Sequence, residues 1–114
     1  MQKINTTLEH VYNDIQEFYD PRAWHFLTLN GIDAGEKGVI LQWIFSQYGQ
    51  KDMILIFELT CSYESRVPSM VTLIPSAFLS EREVVDMFGL HVEGATPGLY
   101  LDKDSKPSPL RRDP

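Results

Sequence analysis

Residues 39–63 read VILQWIFSQYGQKDMILIFELTCSY, and the way they are parsed decides the fold. Val39, Leu41, Trp43 and Phe45 alternate along the first half, and Met53, Leu55, Phe57, Leu59, Cys61 and Tyr63 along the second. A period of two places each set on one face of a strand. The intervening GQKD suits a turn between antiparallel neighbours. Opposite these sets sit Gln42, Ser46, Glu58, Thr60 and Ser62, mixed with Ile40, Ile44, Ile54 and Ile56. A wholly solvated face would be more polar, so the second face is expected to be half covered.

Upstream, AWHFLTLNGID (residues 23–33) has the same strand-like character, and AGEKG (34–38) is the next turn. The three stretches form a meander, with SMVTLIP (69–75) as a candidate short fourth strand ended by Pro75. Before them, Leu8, Val11, Tyr12, Ile15, Phe18 and Tyr19 recur at helical spacing and make one apolar stripe. Thr6 and Glu9 fit a capping box, and Asp20-Pro21 should end that helix.

A second helix is read from EREVVDMFG, Glu81–Gly89, with Ser80 and Glu83 as its capping box and Gly89 as its C-terminal cap. Val84, Val85, Met87 and Phe88 fall in one arc, with Arg82, Glu83 and Asp86 opposite. Glu81 is the exception, since it lies inside the apolar arc. Arg82 and Asp86 are spaced for an ion pair, worth only about 0.3–0.5 kcal/mol if exposed. A helix this short must be held by packing.

Beyond Gly89 the chain changes character. Four of the seven prolines lie from Pro97 onward, and DKDSKPSPLRRDP has almost no apolar content besides Leu110. Such a segment cannot offset its own ordering entropy. Residues 101–114 carry four bases and three acids, against six and thirteen before them. The fold expected is therefore α+β: an N-terminal helix, an antiparallel three- to four-stranded meander, a short C-terminal helix and an extended tail. Residues 1–94 form the domain, and residues 95–114 the partner-binding tail.

Composition narrows function. At 114 residues the chain has room for one core, and its net charge of −6 opposes nucleic-acid binding. No apolar run approaches the roughly 20 residues of a membrane-spanning helix, and the N-terminus lacks a signal peptide's pattern. The single cysteine, Cys61, alternates with core residues and reads as a buried, inert thiol. His10, His25 and His91 lack metal-ligand spacing. The Gly89, Gly94, Gly98 spacing fits neither phosphate-binding pattern. Glu81, Glu83 and Asp86 are the one candidate carboxylate set, but no His, Lys or Cys stands beside them to support acid–base work. A paired or solvated helix arc is the simpler reading, and an interaction module the simpler protein. Arg111 and Arg112 suit bidentate contacts with a partner's carboxylates.

Two motifs then carry a resemblance. EREVVDMFGLHVEG is similar to the E-R-E-x-x-D-M/L-F/Y-G-I/V motif of the C-subunit family of respiratory complex I, which also occurs in Ech-type energy-converting nickel–iron hydrogenases. The closing SPLRRDP resembles that family's H-P-L-R-K/R-D-F/Y-P. Between the motifs this chain has Gly94, Ala95, Thr96, Pro97, Gly98, Leu99 and Tyr100 in place of the family's G-H-P-x-L-x-R. Ser108 stands for the second motif's histidine, and the aromatic between Asp113 and Pro114 is missing.

What the resemblance implies is a structural subunit without catalytic residues, cofactor or metal of its own. It would clamp the large catalytic subunit of a nickel–iron hydrogenase-like complex, beside neighbouring iron–sulfur subunits. Glu81, Arg82, Glu83, Asp86, Phe88, Gly89, Leu110, Arg111, Arg112 and Asp113 are the motif positions that would serve partner binding. The short length resembles the D-subunit of Ech hydrogenase more than the C-subunit of complex I. Ferredoxin-linked hydrogen evolution with ion pumping is the activity implied for the whole complex. The chain would be cytoplasmic and peripheral on the inner face of the cell membrane, held there only through the complex. The alternatives are the C-subunit of a complex I-type NADH or ferredoxin:quinone oxidoreductase and a solitary enzyme built on the Glu81–Asp86 helix.

Overall fold

The structure is a computed structural model that describes residues 1–93. The tail from residue 95, the domain boundary before it, and Leu110, Arg111, Arg112 and Asp113 lie outside the described residues. The elements in order are β1 (Gln2–Asn5), α1 (Val11–Phe18), β2 (Trp24–Asp33), a 3-10 turn (Gly35–Lys37), β3 (Val39–Gln47), β4 (Gln50–Cys61), β5 (Arg66–Val67), α2 (Ala77–Phe88) and β6 (His91–Val92). The meander is present as read: β2 pairs antiparallel with β3, and β3 with β4. The α+β expectation holds.

The register explains the core. Val39, Leu41, Trp43 and Phe45 face Cys61, Leu59, Phe57 and Leu55 across the β3–β4 ladder, and all eight are buried. Each large side chain removed from water contributes about 1.5–3 kcal/mol. Met53, expected on the same face, lies beyond the end of this packed set and is exposed. α1 covers the core face with Val11 and Ile15 fully buried, and the Phe18 ring lies edge-on to Phe45 and Phe57, both at 5.2 Å. α2 covers the same face nearer β2. There a Cβ on Gly31 would lie 2.8 Å from the Phe88 ring, so only glycine lets Phe88 settle on the strand.

The opposite face carries no helix among the described residues. A polar row crosses all four strands instead. Asn30 donates to Gln42 at 3.1 Å, Gln42 donates to Glu58 at 2.8 Å, and Lys3 pairs with Glu58 at 3.4 Å. Ile40 and Ile44 flank this row and are half-buried. The expected partial cover thus comes from crowding within the sheet rather than from a second layer.

Several local expectations are corrected. The fourth strand is β1, parallel to β4, giving the order β1-β4-β3-β2. Residues 69–75 are a helical-type turn, with Ile74 N–H bonded to Met70 O at 2.7 Å and both side chains buried. Met70 and Ile74 are four apart, so a turn brings them together, whereas a strand would hold them well apart. The Thr6–Glu9 capping box does not form. Thr6 still belongs to the β1 end, its N–H bonding Glu58 O at 2.9 Å, and its hydroxyl donates to Asp14 at 2.6 Å. α2 begins at Ala77, so Ser80 is inside the helix and donates to Ala77 O at 3.2 Å instead of capping Glu83. Gly89 does cap α2, in the left-handed region at φ 71° that L side chains avoid.

Candidate partner-docking site

α2 sorts the motif residues into separate roles. Its buried arc, Ala77, Glu81, Val84, Val85 and Phe88, turns inward, and Glu81 is drawn inside with it at 2% exposed. A carboxylate there needs donors. Ser69 supplies its hydroxyl to Oε1 at 2.6 Å, and the Met70 N–H reaches Oε2 at 2.7 Å. Burial pushes the Glu81 carboxyl above the ordinary glutamate range, and these two hydrogen bonds pull it partly back. Glu81 therefore fastens the loop before α2 to the helix. Phe88 is spent on Gly31, and Gly89 on the cap.

Asp86, expected on the solvated arc, is only 3% exposed and has an interaction partner. A helical wheel treats the sheet as the only cover and leaves the far side to solvent, which is wrong here. Of the charged motif residues of α2, Arg82 and Glu83 reach the surface. The Arg82 guanidinium sits 5.1 Å from the centroid of the Phe78 ring, one turn back. Its Nε is buried without an acceptor among the described residues.

The surface beside Arg82 is apolar. Phe78 and Leu79 are 42% and 57% exposed at the first turn of α2, next to Arg82 and Glu83 one turn on. Neither stood among the candidate residues. Two consecutive large apolar side chains before a helix whose apolar arc is already complete were the available signal. Beside Phe78 opens a cleft of about 590 Å³, walled by Tyr12, Pro68, Val71 and Thr72, with Glu81 and Glu93 as its charged lining among the described residues. Tyr12 and Thr72 share a 3.0 Å hydroxyl contact across it.

Glu83 and Asp86 do not line this cleft, so the three carboxylates do not converge on one substrate position. No group of three His, Cys, Asp or Glu side chains suited to a metal occurs among the described residues. The arrangement is chemically fit for contact: a rigid helix, an exposed aromatic–aliphatic pair and an arginine with an unused donor.

The family described as respiratory-chain NADH dehydrogenase, 30 kDa subunit, matches residues 2–114. The chain belongs to that family. Two solved structures share its fold. One is a chain of the membrane-bound sulfane sulfur reductase, an archaeal respiratory membrane complex. It is 16% identical with a TM-score of 0.77, over 96% of this chain and 67% of that one. The other is the trypsin-resistant fragment, residues 1–134, of Nqo5, 17% identical with a TM-score of 0.68, over 84% of this chain and 81% of that one. Among curated proteins nothing matches. No helix among the described residues is long and apolar enough to cross a membrane.

Proposed function

We propose that this member of the 30 kDa subunit family is a non-catalytic structural subunit of an Ech-type energy-converting nickel–iron hydrogenase. It docks on the large catalytic subunit, with iron–sulfur subunits alongside, and reaches the membrane only through the complex. The observation that carries this reading is the exposed Phe78–Leu79 pair beside Arg82, on the same helix as the family motif. Family membership and the fold shared with a chain of a respiratory membrane complex support it. In the complex, ferredoxin electrons reduce protons while ions cross the membrane, and this chain holds the large subunit in place.

A second reading, membership of a complex I-type quinone reductase, is favoured by the family's own description. Affinity purification of the native complex separates the two. A co-purifying large subunit with two cysteine pairs for nickel is the expected result, and one without them assigns the chain to the quinone-reducing kind. A chain that purifies alone from native membranes overturns the docking reading itself.

A further inference from the structure

The cleft beside α2 contains a buried carboxyl that has no cationic partner among the described residues. Glu81 is almost fully buried, yet it lines the open cleft together with Glu93. Its two oxygens receive neutral donors, the Ser69 hydroxyl and the Met70 N–H. Among the described residues no lysine, arginine or histidine forms an ion pair with it. Buried carboxylates usually have a cationic counterpart. Arg82, the cation of α2, is turned over the Phe78 ring and does not line the cleft. Besides the hydroxyls of Ser69 and Thr72, the lining includes Pro68, Val71, Phe78 and Tyr12, the kind of surface that a lysine or arginine stem covers.

We propose that this cleft seats one arginine or lysine from an extended segment of the partner subunit, its head group between Glu81 and Glu93 and its stem against Phe78 and Val71. This inference rests on the docking reading above and names the chemistry of the contact. The occupant is a partner segment for two reasons. Phe78 belongs both to the cleft and to the exposed patch, so one docked surface covers the two. Residues 1–100 hold thirteen acids and six bases, a field that draws a cationic segment, whereas the chain's own residues 101–114 are nearly balanced.

The test places the photo-cross-linker p-benzoylphenylalanine at Thr72, on the cleft wall, in the otherwise intact native complex. The expected cross-link is to another subunit, within about three residues of a lysine or arginine. Glu93→Lys should then weaken co-purification of that subunit about tenfold, with Glu93→Gln weaker in effect and both melting temperatures unchanged. A cross-link to residues 94–114 of the same chain overturns the proposal. So does a cross-linked partner segment lacking a cation, or no cross-link while co-purification persists, and in each case docking itself stands. Failure to co-purify with any subunit overturns both readings.

Discussion

The Met70 backbone N–H lies 2.7 Å from Glu81 Oε2, a hydrogen bond across eleven residues that joins the loop before α2 to the helix itself. One side chain thereby ties the loop to the helix and lines the cleft beside Phe78. The carboxylate is costly to bury, and what offsets the cost is the pair of donors that it aligns.

Glu81 makes stability depend on pH in a stated direction. Its folded carboxyl is raised above the ordinary glutamate value by burial. Its contribution is therefore fully present below the unfolded value and is lost as pH rises through the folded one. Glu81→Gln keeps one acceptor and a donor without the charge. Its melting temperature relative to the native chain should climb as pH rises across that window. A parallel pair of profiles would refute this. Glu81→Ala leaves the Met70 N–H without its acceptor and should cost about 1–3 kcal/mol in denaturant unfolding.

Gly31 and Phe88 form a steric pair. Gly31→Ala drives a methyl to 2.8 Å from the ring and should destabilise the chain by about 1–3 kcal/mol. Phe88→Leu on that background should recover part of the loss, giving a favourable coupling in a double-mutant cycle. Simple additivity of the two changes would mean that the ring moves aside freely.

Leu79 and Arg82 should separate folding from docking. Leu79→Ser removes an exposed side chain and should shift unfolding by no more than about 0.5 kcal/mol. Arg82→Ala removes a buried Nε that has no acceptor among the described residues, so the isolated chain should lose little. If the proposed docking holds, each is expected to weaken association with the large subunit by about 2 kcal/mol or more, measured by titration of the purified partner. Losses of equal size in unfolding and association would assign both residues to the fold.

Truncation after Gly94 tests the part of the second motif formed by Leu110, Arg111, Arg112 and Asp113. The shortened chain should melt close to the full-length chain, since it keeps every buried apolar residue from Val11 to Val92 found among the described residues. Under the hydrogenase reading proposed above, hydrogen evolution by membranes carrying it should fall through lost assembly, with normal turnover in the complexes that remain. Full recovery of the complex with the truncated chain would show that docking belongs to α2 alone.

The three-strand meander and the α1 stripe were readable because they rest on periodicity. Val39, Leu41, Trp43 and Phe45 alternate, Val11 and Ile15 are one turn apart, and each pattern suits only one way of reaching the core. Gly89 was readable because a left-handed cap has few candidate residues. Even the anomaly of Glu81, acidic within an apolar arc, was visible along the chain. Its meaning was not, because Ser69 and Met70 become its partners only once residues 69–75 turn back against α2. β1 was equally hidden: QKIN has one apolar residue and becomes a strand because the edge of β4 offers it free hydrogen-bonding groups. Asp86 and Phe78 show the same division, since burial depends on what stands on the far side of a helix. Periodicity is local and survives in the sequence, whereas hydrogen-bond partners and cover are supplied by chain distant along the sequence, so only the folded structure decides them.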